Sequence, residues 1–136
     1  MIGIVGYLSQ RGIGTMIHDL RNQLGIERQL VIPDNPWPYT EAWMTQEEFY
    51  LQEWTIQRDD LVAWKMVDHI DTVIAIETGF GAETFKWCKE LGMRTILIVM
   101  YESFNPNMAD YRDVDLYIAP SFRAYQEIPF DSKLFL

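Results

Sequence analysis

A chain of 136 residues, 49% hydrophobic and 23% charged, is the size of one domain and can bury a core without cross-links. Its net charge of −9 argues against autonomous binding of nucleic acid or anionic lipid through a basic face. The single cysteine, Cys88, excludes an internal disulfide and reads as a small buried hydrophobe in a reducing, cytoplasmic setting. The start, Met1-Ile-Gly-Ile-Val-Gly6, lacks the pattern of a signal peptide, and no apolar run approaches the ~20 residues that span a bilayer.

In chain order, Ile2–Gly6 predicts a short buried strand, followed by a glycine loop from Tyr7 to Gly14. Thr15 is expected to cap a helix whose apolar stripe is Met16, Ile17, Leu20 and Leu24, with Gly25 at its end. Gln29–Ile32 is a second strand, so the unit implies a right-handed parallel crossover. Pro33-Asp-Asn-Pro-Trp-Pro38 breaks regular structure. The aromatic and acidic segment up to Arg58 has a weak pattern, with a short helix expected around Thr45–Leu51. Asp59 or Asp60 caps a helix to about His69, and Thr72–Ile76 is a buried strand ending at Glu77. Helix Ala82–Leu91 leads to the run Thr95–Met100, which ends at Tyr101 and Glu102. Strand Leu116–Ala119, a helix capped by Ser121 and a last strand, Lys133–Leu136, complete the pattern. Because Leu136 closes an apolar strand, the chain is expected to continue or to have a partner over that edge.

Alternating strands and helices predict an α/β, Rossmann-like, doubly wound sheet of about six mostly parallel strands, in one domain over residues 1–136. In such sheets ligands bind outside the carboxyl ends of the strands. Two strands deliver a glutamate there, Glu77 and Glu102. Each is either a solvated carboxylate at a strand end or a base that orients and deprotonates a hydroxyl. Tyr101 either packs in the core or stacks on a ligand ring.

Gly6, Gly12 and Gly14 either form a tight turn or expose backbone N–H groups to a ligand at a helix start. Their spacing matches neither a dinucleotide fingerprint nor a Walker loop, and Asp34 is a weak match to a ribose-binding acid. Arg11 in that loop favours an anionic ligand or is simply exposed, and His18 lies one turn into the helix. His18 and His69 have no partners at metal-ligand spacing. Trp37, Tyr39, Trp43, Phe49, Tyr50 and Trp54 form core under a long loop, a carbohydrate-stacking wall or an interface. Neither Ser9 nor Ser121 sits in a Gly-x-Ser-x-Gly elbow.

The chain resembles the N-terminal, acceptor-side half of GT-B-fold glycosyltransferases, of the glycosyl transferase group 1, family 4-like kind. The matching pieces are Gly3-Ile-Val-Gly-Tyr7 with Gly12-Ile-Gly14, Leu24-Gly-Ile26, Asp71–Thr78, Leu91–Thr95, Val99-Met-Tyr-Glu102, Asp115–Ser121 and Lys133–Leu136. The resemblance implies a cleft domain that binds a sugar acceptor, with Glu102 and Glu77 catalytic. Gly12 and Gly14 would approach the substrate and Tyr101 would line the cleft; Arg11 and His18, from their place at the glycine loop, are further substrate-binding candidates. It implies no resident cofactor and no metal. A nucleotide-sugar donor would be held mainly by a C-terminal domain or second subunit. Assembly with a further copy of the chain is also compatible with it. Two rivals share the fold: a non-enzymatic regulatory or assembly subunit, and a small nucleotide-binding sensor.

Overall fold

The computed structural model describes residues 1–100, 104–105 and 108–136; Tyr101 and Glu102 lie outside them. Among the described residues seven strands form one all-parallel sheet: β1 (Ile2–Gly6), β2 (Arg28–Val31), β3 (Glu48–Tyr50), β4 (Thr72–Ile76), β5 (Arg94–Ile98), β6 (Leu116–Ala119) and β7 (Lys133–Phe135). Their order is β3-β2-β1-β4-β5-β6-β7. The sheet is wound outward in both directions from the β1/β4 pair, where Ile4 faces Ile74 in register. At such a reversal the connections leave in opposite directions and open a crevice at the carboxyl ends. This is the α/β Rossmann-like architecture the alternation predicts, with one strand more than expected.

Four helices flank the sheet: α1 (Gly12–Leu24), α2 (Arg58–Asp68), α3 (Thr84–Glu90) and α4 (Phe122–Glu127). The larger core gathers Val5, Leu30, Val73, Ala75 and Leu97 against Trp64 of α2, Phe85 and Cys88 of α3 and Ala124 of α4. The opposite face joins Ile4, Ile74 and Ile76 to Ile17 of α1. On that face α1 is the one helix in the core among the described residues. Farther out, Ile96, Leu116 and Ile118 are half-buried, and Leu134 is 51% exposed. The ladder register places Ile118 beside both Ile98 and Leu134, so these residues form one apolar row.

Helix caps follow simple chemistry where the sequence supplies it. Ser121 Oγ accepts the Ala124 N–H at 3.1 Å, and Gly25 closes α1 in the left-handed region at φ 65°. At α2 the cap is Gln57, and Asp60 is its reciprocal partner three residues on, so the expected Asp59 or Asp60 cap is displaced by one turn.

Two local expectations fail. Thr15 does not cap α1; the helix starts at Gly12 with Arg11 in the cap position. The two glycines of the first turn disguise it as loop. The buried stripe is therefore Gly14, Ile17 and Arg21, while Met16 and Leu24 are exposed. The helix expected around Thr45–Leu51 is instead strand β3, preceded by a 3₁₀ turn at Glu41–Trp43. Pairing of Phe49 with Leu30 and Tyr50 with Val31 outweighs the helix propensity of Gln46-Glu47-Glu48.

Candidate functional site at the strand reversal

The site is built where β1 and β4 end. Tyr7 follows β1, and its ring packs edge-on against Phe80, with centroids 5.1 Å apart. Its phenol is held above the ordinary value of 10.0, first by burial and then by the negative charges of Asp34 and Glu77. The phenol thus feels a carboxylate that follows β2 and one that follows β4, the strands that pair with β1 on its two sides.

Glu77 leaves β4 at φ 71°, and Phe80 repeats the left-handed conformation at φ 59°. The turn is tied down on each side. Glu77 N–H donates to Ile98 O at 2.8 Å, Tyr111 Oη donates to Glu77 O at 3.4 Å, and Phe80 N–H donates to Thr78 Oγ1 at 3.2 Å. A non-glycine residue stays in this region only when its surroundings fix it there. Glu77 does not cap the next helix. The first N–H groups of α3 are taken by Asp110, which accepts from Phe85 at 3.3 Å and Lys86 at 3.0 Å.

The glycines of the loop divide by role. A Cβ on Gly14 would sit 2.1 Å from Ser9 O, and one on Gly6 would meet Ile17. Gly14 lets α1 close against its own preceding loop, and Gly6 makes room for Ile17 of α1 at the end of β1. Gly12, at φ 43°, has nothing within 4 Å of a Cβ position and is exposed. It is the glycine over which a ligand can approach the start of α1. Arg11 is exposed and lies over the Trp37 ring at 3.9 Å. His18 faces away from the loop, stacked on Trp43 with centroids 3.8 Å apart and planes at 7°. Its Nε2 is 3.1 Å from Asn22 Nδ2.

The loop is anchored to the segment after β2. Ser9 Oγ donates to Asp34 Oδ2 at 2.8 Å, and Thr40 N–H donates to Leu8 O at 2.8 Å. Beneath it lies a buried polar wedge. Gln29 Nε2 donates to the carbonyls of Gly6 and Tyr7, at 3.1 and 3.0 Å. Its own Oε1 accepts from Arg21 at 2.8 Å, and Arg21 also reaches Glu48 at 3.4 Å. Tyr7, Ser9, Gln29 and Tyr111 were not singled out by their types. For Gln29 the available signal was a polar residue at the head of the apolar run Leu30-Val-Ile32. For Tyr7 and Ser9 it was position just past the end of a strand.

Of the residues expected at the site, Gly12 and Gly14 open α1 after β1, Glu77 follows the neighbouring strand β4, Arg11 lies on Trp37 and His18 is stacked on Trp43. Tyr101 and Glu102 lie outside the described residues. Cys88 is fully buried and its thiol is pushed up to about 12 by burial, which leaves it inert. Among the described residues no three His, Cys, Asp or Glu side chains are grouped to hold a metal ion, and no helix is long and apolar enough to cross a membrane. Comparisons with models of known protein families, with curated proteins and with solved structures found nothing that matches this chain.

Proposed function

We propose that this domain is the acceptor-binding half of a nucleotide-sugar-dependent glycosyltransferase, completed by a donor-binding domain or subunit. The observation that carries the reading is that two carboxylates, Asp34 after β2 and Glu77 after β4, follow strands on the two sides of β1 and are near enough for their charge to act on Tyr7. Carboxylates accept hydrogen bonds from hydroxyls, and a sugar offers several at once. The exposed backbone at Gly12 gives such a ring room to approach. In the reaction the acceptor oxygen bonds to the anomeric carbon as that carbon's bond to the donor diphosphate breaks. The hydroxyl proton passes to a carboxylate, Glu77 or Glu102. Net charge −9 favours a neutral acceptor here and leaves the diphosphate to the other half.

The test is an amide NMR titration of this domain with neutral monosaccharides and, separately, with UDP and ADP. The expected result is millimolar sugar binding with shifts at Tyr7, Gly12 and Glu77, lost in Glu77→Gln, and none with the nucleotides. Tight nucleotide binding at Gly12 without sugar binding would replace this reading with the nucleotide sensor.

A further inference from the structure

Two cavities lie side by side at the carboxyl edge of β2 and β3. The larger, about 470 Å³, is walled by Pro33, Tyr39 and Tyr50 and edged by Gln52. The smaller, about 300 Å³, is lined by Asp34, Asn35 and Trp37 and shares Pro33 and Tyr39 with the first. The shared wall makes them two compartments of one cleft. Both volumes fall in the range of small-molecule sites.

Two contacts tie the cleft to the glycine loop. Asp34, in the smaller compartment, holds Ser9 of that loop, and Trp37 carries Arg11 of the same loop on its face. A ligand that fills both compartments spans from Gln52, past β3, to Trp37, beside the loop that follows β1.

Its chemistry is aromatic faces set beside short uncharged or acidic hydrogen-bonding groups. Tyr39 and Tyr50 meet with centroids 5.1 Å apart at 56°, an open angle rather than a closed stack. The rings of Tyr39 and Tyr50 therefore offer C–H and π surface to a ligand, while the buried Tyr50 Oη stays behind the wall. Among the described residues no lysine or arginine lines either compartment; Arg11 is engaged on the Trp37 ring at its rim, and the charged lining group is Asp34, which repels a phosphate. A wholly apolar ring would strip water from Asp34, Asn35 and Gln52 and give nothing back. A sugar ring satisfies both demands, with C–H groups for the aromatic faces and hydroxyls for the amides and carboxylate.

We propose that this cleft binds two successive rings of a neutral oligosaccharide, the ring bearing the acceptor hydroxyl lying beyond them at Tyr7 and Glu77. The proposal rests on the acceptor reading above and names its substrate class: a glycan chain, not a free monosaccharide or an aromatic aglycone.

The test compares neutral hexose oligosaccharides of one to three units, in the maltose, cellobiose and lactose series, with adenosine and uridine as planar controls. Binding is read from amide shifts. At least one series gains tenfold or more in affinity from monosaccharide to trisaccharide, with new shifts at Tyr39 and Leu51. Trp37→Ala, at an exposed position, and Tyr39→Ala each remove tenfold or more of the trisaccharide affinity. Tyr39→Ala leaves the monosaccharide shifts at Glu77 unchanged, and Tyr39→Phe restores binding. If sugar shifts at Gly12 and Glu77 do not grow with chain length and ignore Trp37→Ala, the cleft is not the glycan site, although the acceptor reading stands. If only adenosine or uridine binds in the cleft, or no sugar binds anywhere, both fail.

Discussion

Glu77 holds a conformation that costs a residue with a Cβ about 1–2 kcal/mol. Its neighbours hold it there through both its N–H and its carbonyl. Glycine would adopt the same φ freely, so Glu77→Gly is expected to keep or raise stability by up to about 1 kcal/mol while abolishing sugar-induced shifts at Tyr7. Chemical denaturation and the same titration check this together. A variant that loses stability and still binds would show the carboxylate to be structural. Glu77 was legible in the sequence because a buried apolar run stops at it. Tyr7 was not, because nothing local says that Asp34, 27 positions on, will come near its phenol.

At the scale of the element, the start of α1 depends on two glycines for different reasons. Gly14→Ala drives a Cβ into the Ser9 carbonyl and is expected to cost about 1–3 kcal/mol in urea unfolding. Gly12→Ala meets open space and pays only for its positive φ, about 1 kcal/mol. The reverse order would mean that contact with the Ser9 carbonyl does not set the helix start. Propensity alone hid this turn, since two glycines in three residues read as loop. Strand β3 was hidden for the opposite reason. Its residues are tolerable helix formers, and only the pairing with β2 makes them a strand. Caps at Ser121 and Gly25 were legible because each acts within four residues of itself.

The whole molecule carries a charge effect that no single element shows. Asp110 is 7% exposed, and burial raises its carboxyl above the ordinary 3.8 even though two N–H groups of α3 favour the anion. A raised folded value means that the protonated form is favoured by folding. Its contribution is complete below the unfolded value and is lost as pH rises through the folded one. Thermal unfolding should therefore show the stability difference, wild type minus Asp110→Asn, shrinking as pH rises from about 4 to 7. A difference that is flat or grows over that interval would refute the assignment. The apolar row from Ile96 to Leu134 also belongs to this scale, because strands that read as continuously buried are here only half covered on one side.

The sequence by itself determined the class of the fold and the end of the sheet where chemistry belongs. Unbroken apolar runs require two covered faces, and a polar residue at the end of a run marks the carboxyl edge. Tertiary structure alone decided the strand order, and with it which strand ends share the crevice. It also decided that Gly14 packs while Gly12 stays open, that Gln29 and Arg21 brace the loop from beneath, and that segment 33–52 folds into a two-compartment cleft beside Asp34. The reason is range. Burial periodicity and capping act over a few residues and are written in the chain, whereas contacts such as Gln29 with the Gly6 carbonyl, Ser9 with Asp34 and β1 with β4 exist only once the sheet has brought distant segments together.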